Sequence, residues 1–414
     1  MPALDLAVVA IVAWGLVASS GAVEAWAYWP LAVASALVGS LAIAGSRGRR
    51  GIGWALPAGF GLLIASVAVQ LVPLPRPLIL RYSPATDAFV QRIGGYKTLL
   101  WGDPPPTHSL SVNPDTTLVG LLLLCAFAAL LIGTARGLAP RQTRNLARAL
   151  PVLGAVAALM VVARSLTGTG LDPAERDRMA GWMVMVFPLS VCQALPAVRS
   201  RIARAKANVD THARLALVAT ALMGAALVWI GISVLAHAGQ AAPANASGTW
   251  DDTGRLVGDF PASGTGLNTY GAVMMVLLPA LRPTTGYNDY LQLAAEGGFL
   301  LLVPGLILVV LFGREARRQL FATSGDPEAR RVHVGALAGL LMLAVYELGS
   351  VSLQVPGNAA LFAVVCGVAI SQSEPGGSLR AGRGASDRET GRRQVSTSEG
   401  RDVSESATAF RGDD

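Results

Sequence analysis

The chain has 414 residues, 52% of them hydrophobic and 14% charged, with a formal net charge of +7. A soluble globular protein carries roughly a quarter charged residues, so this composition points instead to an all-α, polytopic membrane protein. The positive charge is mostly arginine in short loops between apolar runs, which is not the clustered footprint of a nucleic-acid binder.

Apolar runs predict about ten transmembrane helices, near 4–20, 28–45, 53–74, 116–134, 147–165, 179–198, 215–236, 289–312, 333–352 and 357–372. The first run lacks the basic flank and cleavage site of a signal peptide and reads as a retained span. One set of loops carries Arg47, Arg49 and Arg50, then Arg136 to Arg148, Arg199 to Arg214, and Arg314 to Arg331. The opposite loops carry fewer positive charges over a longer total length. The positive-inside rule places the first set and both termini in the cytoplasm. Residues 1–372 form the membrane domain on this reading. The tail, 373–414, is poor in large apolar residues and is expected to be disordered and cytoplasmic.

Three segments face outward. The first, 76–115, holds Tyr82, Trp101 and His108; the second, 167–178, is short and charged. The third, the periplasmic loop 237–287, is the longest and contains Arg255, Asp259, Tyr270 and Arg282. Within it Gly271 to Leu281 is apolar but too short to span, which predicts an interfacial or re-entrant helix. Such a helix beside charged loops suits a lipid-linked substrate with a polar head.

The loop runs into Gly286 to Gly298, where Asn288, Gln292 and Glu296 recur every four residues. In a helix they share one stripe, with Asp289 at its edge. Polar groups descending into an apolar span are costly, so they mark either a site or a self-solvating helix cap. Guanidinium groups offer planar, bidentate donors to phosphate oxygens. Arg255 and Arg282 converging on a diphosphate would neutralise a leaving group; anchoring to lipid phosphates is the competing account. The four histidines have no ligand spacing, and the three cysteines, Cys125, Cys192 and Cys366, lie singly in apolar runs. Gly168-Thr-Gly170 and Gly264-Thr-Gly266 lack the context of a nucleotide loop and read as tight turns.

These motifs together resemble the O-antigen ligase-like superfamily of ligases, polymerases and protein O-oligosaccharyltransferases. Asn288-Asp289-Tyr290-Leu291-Gln292 and Ala295-Glu296-Gly297-Gly298 match its hallmark run after the periplasmic loop. Asp259-Phe-Pro261 with Gly264-Thr-Gly266 is similar to its upstream segment. Ser111 to Leu118, Ala180-Gly181-Trp182-Met183 and Leu353-Gln354-Val355-Pro356-Gly357-Asn358 follow in the family's order.

The resemblance implies transfer of a glycan from undecaprenyl diphosphate at the periplasmic face of the inner membrane, with no cofactor, nucleotide sugar or metal. It implies catalytic roles for Arg255, Tyr287, Asn288, Asp289 and Glu296. Substrate contacts are implied at Arg282, His237, Gly264, Gly266, Tyr290, Gln292 and Arg178. The implied partners are the lipid-linked glycan, membrane lipids and other polysaccharide assembly proteins.

The chain departs from the pattern at several positions. Tyr287 stands where the family has a histidine, and Glu175-Arg176-Asp177-Arg178 replaces an Asn-Arg-Asn-His-like run. Tyr346 and Ser350 stand where a histidine and an aspartate are usual. A neutral tyrosine is a poor base at neutral pH, so the proton falls to Asp289, Glu296 or Glu347. The competing reading is a non-catalytic scaffold or binding subunit of a polysaccharide assembly system.

Overall fold

In lipid no water is present to satisfy backbone N–H and C=O groups, so apolar runs must close their hydrogen bonds internally as helices. A computed structural model of the protein describes residues 3–20, 25–46, 53–101, 107–167, 171–202, 211–237, 246–277, 288–323 and 325–372. In chain order the elements are α1 (Leu4–Ser20), α2 (Ala25–Gly45), α3 (Ala55–Leu71), β1 (Pro73–Pro75), α4 (Arg76–Tyr82), α5 (Pro84–Trp101) and β2 (Thr107–Ser109). They continue as α6 (Pro114–Gly137), α7 (Pro140–Leu166), α8 (Pro173–Ile202), α9 (Thr211–His237), α10 (Ala246–Asp259) and α11 (Tyr270–Leu277). Last come α12 (Asp289–Ala322), α13 (Pro327–Tyr346), a 3-10 turn at Ser352–Gln354, and α14 (Pro356–Ala369).

Seven of the described helices, α2, α6, α7, α8, α9, α12 and α13, are long and apolar enough to cross a membrane. Three shorter apolar helices, α1, α3 and α14, lie among them. Several boundaries differ from expectation: α7, α8 and α13 begin six or seven residues earlier, α12 runs ten residues further, and two runs end early. The run predicted to end at 74 stops at Leu71, because Pro73 and Pro75 cannot continue a helix and pair instead with Ser109 and Thr107. The run predicted to end at 352 stops at Tyr346, where the chain turns to bond α8.

The core is centred on α8, which packs against α7, α9 and α13 and touches α1 and α14. Met179, Trp182, Met183, Met185, Val186 and Leu189 are all buried, so α8 is apolar around most of its circumference. Large side chains on the outward faces of α9, α12 and α13, such as Trp229, Leu306 and Leu341, are exposed, as lipid-facing positions require. Arg144 reaches Asp326 at 3.5 Å and Arg148 reaches Glu328 at 2.6 Å, joining the starts of α7 and α13 at one end of the bundle.

Helices α2 and α6 meet through Gly39 and Gly133. A Cβ at either position would overlap backbone atoms of the other helix. Helices in lipid associate by close packing, so small residues here set the approach. Gly39→Leu is expected to cost about 2–3 kcal/mol, within the usual range for overpacking, read as a lower melting temperature in nanodiscs.

A second, smaller core joins α5, α10, α11 and the head of α12: Phe89, Leu256, Phe260, Tyr270, Val273, Met274 and Ala295. The amphipathic α10 buries Leu256 there, Phe260 follows just after it, and Tyr270 donates to or accepts from Thr253 at 2.7 Å. The apolar segment expected from Gly271 forms α11, while 278–281 lie outside the described residues.

The β1–β2 pair is tied to α5 by charge. Arg76 donates twice to Asp87, at 3.0 and 3.2 Å, and His108 Nε2 lies 3.3 Å from the same carboxylate. Burial alone would raise the Asp87 pKa; hydrogen bonds from Arg76 and His108 outweigh it and hold the group below its ordinary value. A carboxyl depressed in the folded state stabilises fully above its unfolded value, near pH 4, and that contribution disappears as pH falls through the lower folded value. Wild-type melting temperature is therefore expected to fall more steeply below pH 4 than that of Asp87→Asn. Parallel acid curves for the two proteins would show that the ion pair contributes nothing.

Candidate functional site

The site is assembled around a break in α12. At Gly298 the backbone adopts φ 54° and ψ −160°, splitting the helix into a polar half, 289–297, and an apolar remainder. The break frees backbone groups that must find partners in a dry environment. The turn before α11 supplies them. Thr265 N donates to Ala295 O at 3.0 Å and Gly266 N to Glu296 O at 2.9 Å. In return Phe299 N and Leu300 N donate to Pro261 O and Ala262 O at 2.8 and 2.9 Å.

Gly264-Thr-Gly266 is a tight turn with positive φ at both glycines, 64° and 110°. A Cβ on Gly264 would collide with the Glu296 carbonyl. Gln70, the lone amide of α3, closes the junction. It donates to Ser263 O at 2.7 Å and Glu296 O at 3.1 Å, and accepts from Leu267 N at 3.1 Å. A buried glutamine inside an apolar run is the signal that could have marked it in the sequence.

The polar stripe forms as its spacing predicts. Asn288 caps α12, accepting from Leu291 N at 3.0 Å, and its amide donates to Leu348 O at 2.9 Å. Gln292 donates to Glu296 one turn on at 3.3 Å, and to Gln354 at 2.9 Å. Gln354 then donates to Asp289 Oδ1 at 2.8 Å. Tyr290 donates its hydroxyl to Ala344 O at 2.7 Å. These bonds fasten the head of α12 to the turn after α13 and to the 3-10 turn before α14.

The three carboxylates have different amounts of freedom. Glu296 accepts from Asn268 N at 2.8 Å and Tyr270 N at 2.9 Å, in addition to Gln292. Glu347 accepts from the backbone N–H of Ser352 at 3.0 Å and from the Ser352 hydroxyl. Asp289 has one oxygen on Gln354 at 2.8 Å, while its Oδ2 is buried against the carboxyl of Glu347, so these two groups form a pair at the head of α12.

Asp289, Glu296 and Glu347 line one cavity of about 630 Å³, together with Tyr290, Gln292, Gln354 and Asn268. Its remaining walls are apolar, from Leu123 and Phe127 of α6, Leu340 and Leu343 of α13, and Phe362 of α14. Such a volume, apolar with a few convergent polar groups, is typical of a small-molecule site. No arginine, lysine or histidine lines it among the described residues. Nor is any group of three metal-ligating side chains found among them.

Other expected site residues lie elsewhere. Arg255 projects from α10 with 80% of its side chain exposed, 3.7 Å from Asp252 one turn back, and does not line the cavity. Arg178 donates to Ser19 O at 3.1 Å, and its own carbonyl accepts from Asn358 at 3.0 Å, so it ties α8 to α1 and α14. Gly264 and Gly266 shape the turn behind the cavity. His237 ends α9, and its side chain, like Arg282 and Tyr287, lies outside the described residues. Sequence reasoning assigned no role to Gln354 or Asp177. Asp177 accepts from Tyr346 OH at 2.6 Å and Ser350 Oγ at 2.9 Å, holding the turn that presents Glu347 and Gln354.

The fold defines a class: an all-α, multi-pass membrane protein with a largely apolar cavity, polar at one end, beside a broken helix. No protein-family model and no curated protein matches the chain.

Proposed function

We propose that the protein transfers a glycan from undecaprenyl diphosphate to an acceptor hydroxyl at the periplasmic face of the inner membrane. The reading is carried by one observation: the family-like run Asn288 to Glu296 contributes Asp289, Tyr290, Gln292 and Glu296 to a single cavity. In this scheme the Asp289 carboxylate, paired with Glu347, takes the proton of the acceptor hydroxyl. The acceptor oxygen bonds to the sugar anomeric carbon as the bond from that carbon to the phosphate oxygen breaks, and undecaprenyl diphosphate leaves. Arg255, exposed and held by one neighbour on its own helix, is free to swing onto the diphosphate and neutralise it; Arg282 is the second candidate. Tyr287 adjoins the Asn288 cap, where the acceptor is activated.

The same reading takes α1, α3 and α14 as spans alongside the seven longer helices. That makes ten crossings with both termini cytoplasmic, in accord with the arginine-rich loops. At about 1.5 Å per residue the 17 residues of α1 and of α3 reach roughly 25 Å, slightly short of an average bilayer core.

Purified protein given a lipid-linked glycan and an acceptor tests the proposal. Arg255→Ala is expected to lower turnover at least tenfold; intact turnover would remove that arginine from the mechanism. A second reading, a non-catalytic scaffold or binding subunit, is favoured by Tyr287 at the histidine position. Under it the native protein is inert, and Tyr287→His leaves glycan length and attachment unchanged in cells.

A further inference from the structure

We propose that the cavity is an acceptor pocket for an uncharged or amine-bearing sugar carried on an apolar chain, and that it rejects anionic sugars. This rests on the transfer reading and adds which class of molecule enters the cavity. Three carboxyl groups, Asp289, Glu296 and Glu347, stand on its polar side, and no cationic side chain lines it among the described residues.

A sugar hydroxyl or ammonium can donate to the carboxyl pair of Asp289 and Glu347 and exchange bonds with Gln292 and Gln354. A carboxylate or phosphate on the ligand would instead meet like charge in a site of reduced dielectric, with no counter-charge to offset it. The apolar walls accept a hydrocarbon chain, so the ligand is an amphiphile with its head at Asp289.

Binding of hexyl glucoside, hexyl glucosaminide and hexyl glucuronide to the full-length protein in lipid nanodiscs tests this without any donor present. The glucoside and glucosaminide are expected to bind with similar affinity, and the glucuronide at least tenfold more weakly. Asp289→Asn should narrow that gap to less than threefold. Leu340→Trp, which fills the cavity from its wall, should abolish glucoside binding and serves if the aspartate variant does not fold. Equal or tighter binding of the glucuronide overturns the proposal, as does glucoside binding that survives Leu340→Trp. Selective binding by a protein that performs no transfer would sink the transfer reading while leaving the pocket's charge preference standing. Transfer without selectivity would do the reverse.

Discussion

Asp289→Asn is expected to lower glycan transfer about 10²- to 10⁴-fold, the span over which a positioned general base normally acts. The substitution keeps size and one acceptor oxygen, so the bond from Gln354 persists and the α12 head stays in place. Affinity for a neutral glycoside should change by less than threefold. The effect then falls on kcat and leaves KM nearly alone, as expected when a group acts mainly in the transition state. Steady-state kinetics of the purified variant decide the matter. An unchanged kcat would move the proton to another group, and the bonding pattern nominates Glu347 next, because it shares the cavity wall with Asp289.

Glu296→Ala should have the largest effect on stability. Its carboxylate satisfies Asn268 N and Tyr270 N and accepts from Gln292, and only 6% of the residue is exposed. Alanine would leave the buried Tyr270 N–H and the part-buried Asn268 N–H without this partner. At about 1–3 kcal/mol for each such group, the loss is expected to reach roughly 3 kcal/mol or more. Melting in nanodiscs should show this as a large fall in transition temperature. Glu296→Gln, which retains one acceptor oxygen, should recover part of it. If both variants melt like the native protein, the clamp between α12 and α11 is not what holds the outer segment in place.

The helices were legible because a bilayer demands apolar runs that close their own hydrogen bonds, and that requirement is written in each segment alone. Each predicted run from 4–20 to 357–372 overlaps a helix, and seven of those helices are long and apolar enough to cross a membrane. The errors arise where distant residues override local pattern. Residues 347–352 are not charged enough to look unlike a helix end. They leave the helix because Asp177, far away in sequence, draws in Tyr346 and Ser350. The β1–β2 pair is too short and too rich in proline to show a strand period.

At the site, the four-residue spacing of Asn288, Gln292 and Glu296 was enough to predict a shared face. How each carboxylate would be bonded was not readable. That depends on Asn268, Tyr270 and Ser352, whose backbone N–H groups reach Glu296 and Glu347 only in the folded chain. Asp177 on α8 accepts from both Tyr346 and Ser350, a set of partners that only the folded chain brings together.

The interruption at Gly298 has a consequence for how such a protein can diverge. Because 289–297 are laced to the 261–266 turn and not carried by a continuous rod, the head of α12 takes its aim from the outer loop. Insertions or replacements in that loop can re-point the cavity's acidic side while the apolar shaft stays seated in its neighbours. The joint separates inheritance of the scaffold from inheritance of ligand preference, letting each vary at its own pace.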